Sequence, residues 1–248
     1  MRRIHQDRSA LKSSLLAVAI TVPLLLPQAS AGQARHYPLE SAEGLRLHNV
    51  AAEPAVLQGK KGVRVSMSEE TTRLTPPQGL ADIEQLAVID GLDFANGVIE
   101  AEIAGALAPN AGEGARGFVG IAFRLRNDMK TYDAFYLRPT NGRAEDQERR
   151  NHAAQYISHP DWPWSRLRKE TPSRYESYVD LVPGVWTRVK IEVRGDRARL
   201  YVHGHEQPAL IVNDVKTGPD GKGAVALWVG PGTVAHFRNL TVGPLSGK

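Results

Sequence analysis

Side chains able to grip a polar ligand crowd into one stretch, residues 117–164. Arg124, Arg138 and Arg143 carry guanidinium groups that stay charged and present paired donors to carboxylate, sulfate or hydroxyl-rich partners. Tyr136, Asn141, His152 and Gln155 add a phenol, two amides and an imidazole. Trp164, stiffened with Trp162 around Pro163, and the later Trp228 can lay an indole against the apolar face of a ring-shaped ligand. These nine residues from Arg124 to Trp228, leaving out Trp162, are the expected binding set. For catalysis the candidates are His152 and Tyr136, which could move a proton, and the carboxylates Glu145 and Glu148. Glu145 and Asp146 are neighbours and would face opposite ways on a strand, whereas Arg143, Arg149 and Arg150 suit ion pairs in a charged loop. The catalytic role is therefore left open.

Strands must position this set. In Gly117 to Leu125, large Val119, Ile121, Phe123 and Leu125 alternate with Gly120, Ala122 and Arg124, giving one core face and one open face. Tyr132 to Arg138 repeats the pattern, with Asp133, Phe135 and Leu137 opposite Tyr132, Ala134, Tyr136 and Arg138. Gly and Ala beside Arg and Tyr predict a floor kept low so that something can lie on it. By phase, Arg124 and Arg138 share that floor close enough to hold one ligand, with Glu145 or Asp146 as resident counter-ion. Trp228 alternates with Ala224 and Ala226 and forms a platform on the same side.

Around this stretch lie further short alternating runs. Two strands, 55–58 and 63–67, flank Gly59-Lys-Lys-Gly62; others cover 86–89, 98–103, 186–193, 197–202, 209–212, 223–230 and 234–242, and a short helix fits Ser165 to Ser173. About a dozen strands, almost no helix and no dividing linker predict an all-β, two-sheet antiparallel sandwich or jelly roll.

The N-terminus is of another kind. Arg2, Arg3, Arg8 and Lys12 precede an apolar run from Leu15 to Leu26 and the small-residue site Ala29-Ser30-Ala31, which together predict a signal peptide over 1–31 and one sandwich domain over 32–248, ordered from about 40 to 243. The apolar run is shorter than the ~20 residues of a membrane span. A secreted or periplasmic protein with no membrane span after processing follows. The 248 residues hold 31 Lys and Arg against 27 Asp and Glu; removing four basic residues and one acidic residue with the signal leaves 27 against 26. That near-neutral balance predicts no nucleic-acid partner. With no cysteine, an exported chain must rest on its core rather than on disulfides.

The strand texts Asn96-Gly-Val-Ile-Glu-Ala-Glu-Ile103, Gly117-Phe-Val-Gly-Ile-Ala-Phe-Arg124, Trp186-Thr-Arg-Val-Lys-Ile-Glu-Val193, Arg199-Leu-Tyr-Val-His-Gly204 and Gly223-Ala-Val-Ala-Leu-Trp-Val-Gly230 resemble the concanavalin A-like lectin/glucanase superfamily, including its laminin G-like and 3-keto-disaccharide hydrolase-like jelly rolls. The resemblance covers nearly the whole of 32–248 and implies a concave sheet that receives carbohydrate. It leaves open a glycoside hydrolase, a polysaccharide lyase acting on an acidic polymer, and a non-catalytic glycan-binding or structural domain. The partner is expected to be carbohydrate, with an acidic one favoured by the arginines. No cofactor is expected. His203-Gly204-His205-Glu206 falls where a turn belongs, so no metal site is assigned to it, and the resemblance leaves room for a structural calcium, which could use backbone carbonyls and Asp90 or Asp93.

Overall fold

Alternation of apolar and polar residues resolves into fifteen strands among the described residues, which in this computed structural model are Met1, 33–74, 83–109 and 111–245. The expected signal segment therefore lies, but for Met1, outside the described residues. In chain order the strands are β1 (Arg35–Tyr37), β2 (Leu45–His48), β3 (Val50–Leu57), β4 (Lys60–Met67), β5 (Leu86–Ile89), β6 (Gly97–Leu107), β7 (Val119–Leu125) and β8 (Tyr132–Leu137). They continue as β9 (Ala154–His159), β10 (Glu176–Ser177), β11 (Thr187–Arg194), β12 (Arg197–Val202), β13 (Leu210–Val212), β14 (Ala224–Val229) and β15 (Thr233–Gly243). Three short helices, α1 (Glu69–Leu74), α2 (Gln147–Asn151) and α3 (Trp164–Glu170), lie in the connections.

Two antiparallel sheets result. One runs β13-β12-β11-β6-β15-β4-β3, with β1 added to β15; the other runs β10-β9-β8-β7-β14-β5-β2. The architecture is the two-sheet jelly-roll sandwich. Ile99, Ile103, Val189, Ile191 and Phe237 of the first sheet meet Ile121, Phe123, Phe135 and Leu227 of the second, all at most 2% exposed. Burying each such side chain contributes roughly 1.5–3 kcal/mol.

Local chemistry sets the connections. The β3–β4 hairpin turns on Gln58 and Gly59, both at positive φ (52° and 74°), and not on the four residues Gly59 to Gly62. A two-residue turn with positive φ at both positions matches the twist of the flanking strands. Gly62 is freed to lie in β4 against the Phe237 carbonyl and the Trp186 ring, where a Cβ would not fit.

The bulge that ends β7 overturns one expectation. Ala122 pairs with Ala226 and Leu125 with Ala224, so two residues of β7, Phe123 and Arg124, face one of β14. Arg124 takes up the extra length at φ 57°, which costs a non-glycine residue about 1–2 kcal/mol. Its side chain thereby leaves the open face. The guanidinium, fully buried, donates to the carbonyls of Ala95 (3.0 Å), Gly195 (2.8 Å) and Gly218 (2.7 Å) and to Thr217 Oγ1 (3.2 Å), tying three loops together. Burial lowers its pKa and the nearby Asp133 opposes that shift. Arg124 is thus a clamp at the end of the sandwich and shares no partner with Arg138.

The low floor is also filled by the protein itself. Gly120, Ala122, Ala134 and Ala226 are covered, because Trp228 and Tyr132 reach toward each other across them and join, Trp228 Nε1 donating to Tyr132 Oη at 3.0 Å. A Cβ at Gly120 would run into the Phe135 carbonyl and Tyr136. The small residues make room for rings of the same chain.

Arg124→Leu should cost about 3 kcal/mol of stability, since several buried carbonyls lose a charged donor. Urea unfolding checks this; an unchanged midpoint would show that the loops hold without the clamp.

Candidate functional site

Strand register lines up one row across the outer face of the seven-stranded sheet. Glu176 of β10 stands beside Gln155 of β9, then Tyr136 of β8, Gly120 of β7, Trp228 of β14 and Leu86 of β5. Arg138, just past β8, returns to this row. Its guanidinium donates to Tyr136 Oη (2.7 Å), Gln155 Oε1 (3.1 Å) and the His152 carbonyl (2.9 Å), and lies 3.6 Å from Glu176 Oε2. The side chain is 6% exposed. Arg138 is therefore a buried group bonded within the protein and not an open groove arginine.

The carboxylate facing it is Glu176, only 2% exposed, where Glu145 or Asp146 is expected. Arg168, from α3, grips Glu176 with two donors at 2.9 and 2.6 Å, and this bond raises the Arg168 pKa. His152 Nδ1 sits 2.5 Å from Glu176 Oε2, without the alignment of a hydrogen bond. Glu145 is exposed, Asp146 caps α2 by accepting from the Arg149 amide (3.1 Å), and the Glu148 side chain is 85% exposed and 3.8 Å from His152 Nε2. The charged text from Arg143 to Arg150 builds a helix cap and surface pairs, so Glu145 and Glu148 do not form a catalytic pair with a buried acid.

The remaining expected residues divide. Burial raises the Tyr136 phenol, Arg138 opposes that rise, and the ring stacks on Trp228 at 4.6 Å. Gln155 spends both amide hydrogens on the Tyr156 and Tyr175 carbonyls. Asn141 donates to the His152 carbonyl at 3.3 Å, while its Oδ1, Thr140 Oγ1 and both His152 ring nitrogens are buried without a hydrogen-bond partner among the described residues. Arg143 turns outward to a bidentate pair with Asp180 (2.7 and 2.9 Å), which raises its pKa. Trp228 faces the expected side but is 9% exposed. Trp164 is 46% exposed, with Arg168 4.8 Å and Arg138 5.9 Å from its ring. Trp162 has Arg166 at 3.9 Å and Lys216 at 4.5 Å, so cations already occupy it. Elsewhere, His203 Nε2 meets the Asp180 carbonyl at 2.7 Å, and Asp93 pairs with Lys222 at 2.8 Å.

Three residues of this region escape a reading by strand phase: Glu176, Arg168 and Arg116. Arg168 carries a readable signal, since it stands one helical turn after Trp164. Arg116, whose guanidinium donates to the carbonyls of Glu113 (2.6 Å) and Ala115 (2.7 Å), has its pKa lowered by burial and then by Arg149 and Arg138 close by. Neither Arg116 nor Arg149 has an ion pair among the described residues.

No protein-family model matches the chain, and no curated protein matches it in sequence. Solved structures do. The carbohydrate-binding module CBM66 from Bacillus subtilis is 13% identical over 80% of this chain and 95% of that one, with a TM-score of 0.53. A Bacillus subtilis protein of unknown function with a galectin-like fold is 13% identical over 86% and 97%, TM-score 0.49, and a Bacillus licheniformis β-glucanase is 12% identical over 86% and 98%, TM-score 0.42. The chain shares a jelly-roll sandwich fold with the first of these. At these identities the likeness is one of fold.

Glu176→Gln should lower stability by about 3–5 kcal/mol, because it strips the shared counter-ion from buried Arg138. Arg143→Ala, at an exposed pair, should leave the unfolding midpoint unchanged. Parallel denaturant titrations distinguish the two; equal midpoints would contradict the assignment of Glu176 as the hub.

Proposed function

We propose that the protein is an exported carbohydrate-binding protein that recognises an acidic saccharide at the rim of the seven-stranded sheet, where Trp164, Arg116, Arg149 and Arg168 surround the buried Arg138. The observation that carries this reading is an imbalance of charge. Arg138 and Arg168 share one buried carboxylate, Glu176, with Glu148 acting on Arg168 only from a distance, and Arg116 and Arg149 have no ion pair among the described residues, Glu113 being the nearby acid that acts on Arg116. Crowded guanidinium groups repel one another, and the lowered pKa of Arg116 reflects burial together with that repulsion. A carboxylate or sulfate at the rim relieves it through paired, charge-assisted donors.

The half-exposed Trp164 complements the charge. An indole accepts the apolar face of a sugar ring while arginines take its polar edge. The fold agrees with such a role, since the structural relative with the highest TM-score reported above is a carbohydrate-binding module. Export rests on the N-terminal text, with its basic start, apolar run and Ala29-Ser30-Ala31 site. No helix among the described residues is long and apolar enough to cross a membrane.

Calorimetric titration with oligouronates and sulfated oligosaccharides tests the reading. Arg116→Ala should weaken binding about tenfold, in the range for a hydrogen bond to a charged group, and affinity should fall with added salt. Trp164→Ala should weaken neutral and acidic sugars alike. Equal affinity for charged and uncharged forms would remove the acidic assignment, and no binding across the panel would remove the carbohydrate one. For export, the mass of protein recovered outside the cytoplasm should correspond to a chain beginning at Gly32; a retained Met1 on that protein would overturn it.

A further inference from the structure

At the other end of β8 from Arg138, the same outer face carries a second polar cluster that the binding reading does not use. His159 of β9 pairs across to Tyr132 of β8, and the two rings stack at 5.2 Å and 12°. His159 Nδ1 lies 2.8 Å from Glu84 Oε1. The other carboxylate oxygen of Glu84 accepts from Tyr132 Oη, which accepts in turn from Trp228 Nε1. Asn49 Nδ2 fixes the Glu84 carbonyl at 2.9 Å. Burial, then the nearby Glu84, push the Tyr132 phenol well above its usual pKa, so it remains a donor. Exposure rises outward: Tyr132 is fully buried, the Glu84 side chain is 15% exposed, and the His159 side chain is 25% exposed.

A carboxylate accepting from Nδ1–H fixes the imidazole tautomer and leaves the Nε2 lone pair free. Nε2 of His159 has no partner among the described residues. The ring is held in place by stacking and aimed by a carboxylate that is itself held by a buried phenol. The other charged and titratable groups nearby are His48, which Glu84 influences, and Arg46 and Lys130, which act on His48.

We propose that His159 is a catalytic base, with Glu84 and Tyr132 as positioning residues, and that it hydrolyses an ester substituent on the saccharide, a substrate that rests on the binding reading above. Cleavage of a glycosidic bond by two carboxylates requires one as acid and one as nucleophile or base. The buried carboxylates at the centre of the two clusters are both committed, Glu176 to Arg138 and Arg168, Glu84 to Tyr132 and His159. Acyl transfer to water needs only one imidazole. Nε2 takes a proton from water as the water oxygen bonds to the ester carbonyl carbon. The tetrahedral adduct then collapses with cleavage of the acyl carbon–oxygen bond, and Nε2–H returns the proton to the departing sugar oxygen. The products are a carboxylic acid and a free sugar hydroxyl.

The test measures acetate release by the purified protein from an acetylated polyuronate, and hydrolysis of 4-nitrophenyl acetate, with calorimetric binding to the deacetylated polymer run alongside. His159→Ala should reduce both rates by about a hundredfold or more while binding persists. Glu84→Gln should lower the rate by about tenfold or more with polymer affinity unchanged, and Glu84→Asp should recover part of the loss; a merely structural role would impair binding and rate together. Wild-type release no faster than solvent, or equal rates in His159→Ala, overturns the proposal even if binding is intact. Hydrolysis of 4-nitrophenyl acetate that depends on His159 without polymer binding supports the catalytic base and removes the saccharide reading instead.

Discussion

One buried carboxylate governs the candidate binding face. Glu176, almost fully enclosed, binds Arg168 with both oxygens and lies within contact distance of Arg138 and His152. Ionised groups are costly to bury, and the cost is met only when partners surround them. Glu176 therefore fixes the relative positions of β8, β9, β10 and α3 at one point, since each contributes to or flanks this cluster. Without it, Arg138 would sit beneath the aromatic layer with only neutral acceptors. The location of Trp164 follows as well, because α3 is docked by Arg168 one turn beyond that indole.

Arg124 solves a different problem with similar chemistry. It carries its charge to backbone carbonyls at the end of the sandwich, with Asp133 near enough to oppose its loss of pKa. Asp133 is itself raised by burial and held by Thr217 and Tyr156. The two arginines that strand phase places side by side thus serve opposite ends: one closes loops, the other supports a surface.

These differences show which layer of structure a sequence discloses. The core strands are legible because burial imposes period two, as in Val119 to Leu125 and Thr187 to Arg194. A bulge breaks the period without a local signature when a non-glycine residue takes the left-handed position, so strand phase alone puts Arg124 on the wrong side. β9 is hard to see because its Gln155 and Ser158 are buried polar residues, satisfied by neighbours distant in sequence. β10 has two residues, too few for any period, and Glu176 lies in it. Glu84 precedes β5 in an irregular segment, and its partners lie 48 and 75 positions away. The Arg, Tyr and Trp types of the site were legible; their bonding state was not, because it depends on which residues meet across the sheet.

The aromatic layer ties the two polar clusters into one surface. Trp228 stacks on Tyr136, which accepts from Arg138, and donates to Tyr132, which donates to Glu84. Each ring has a packed face and a bonded polar atom, so neither cluster can rearrange without disturbing the other. The groups at the Arg138 end are accordingly set in place without a ligand, which limits the ordering entropy that the proposed binding would cost on the protein side. The same rigidity keeps the imidazole of His159 aimed, since its stacking partner Tyr132 is locked by both Trp228 and Glu84. The small residues Gly120, Ala122, Ala134 and Ala226 make this possible: any larger side chain among them would lift the rings and break the chain of contacts between the two ends.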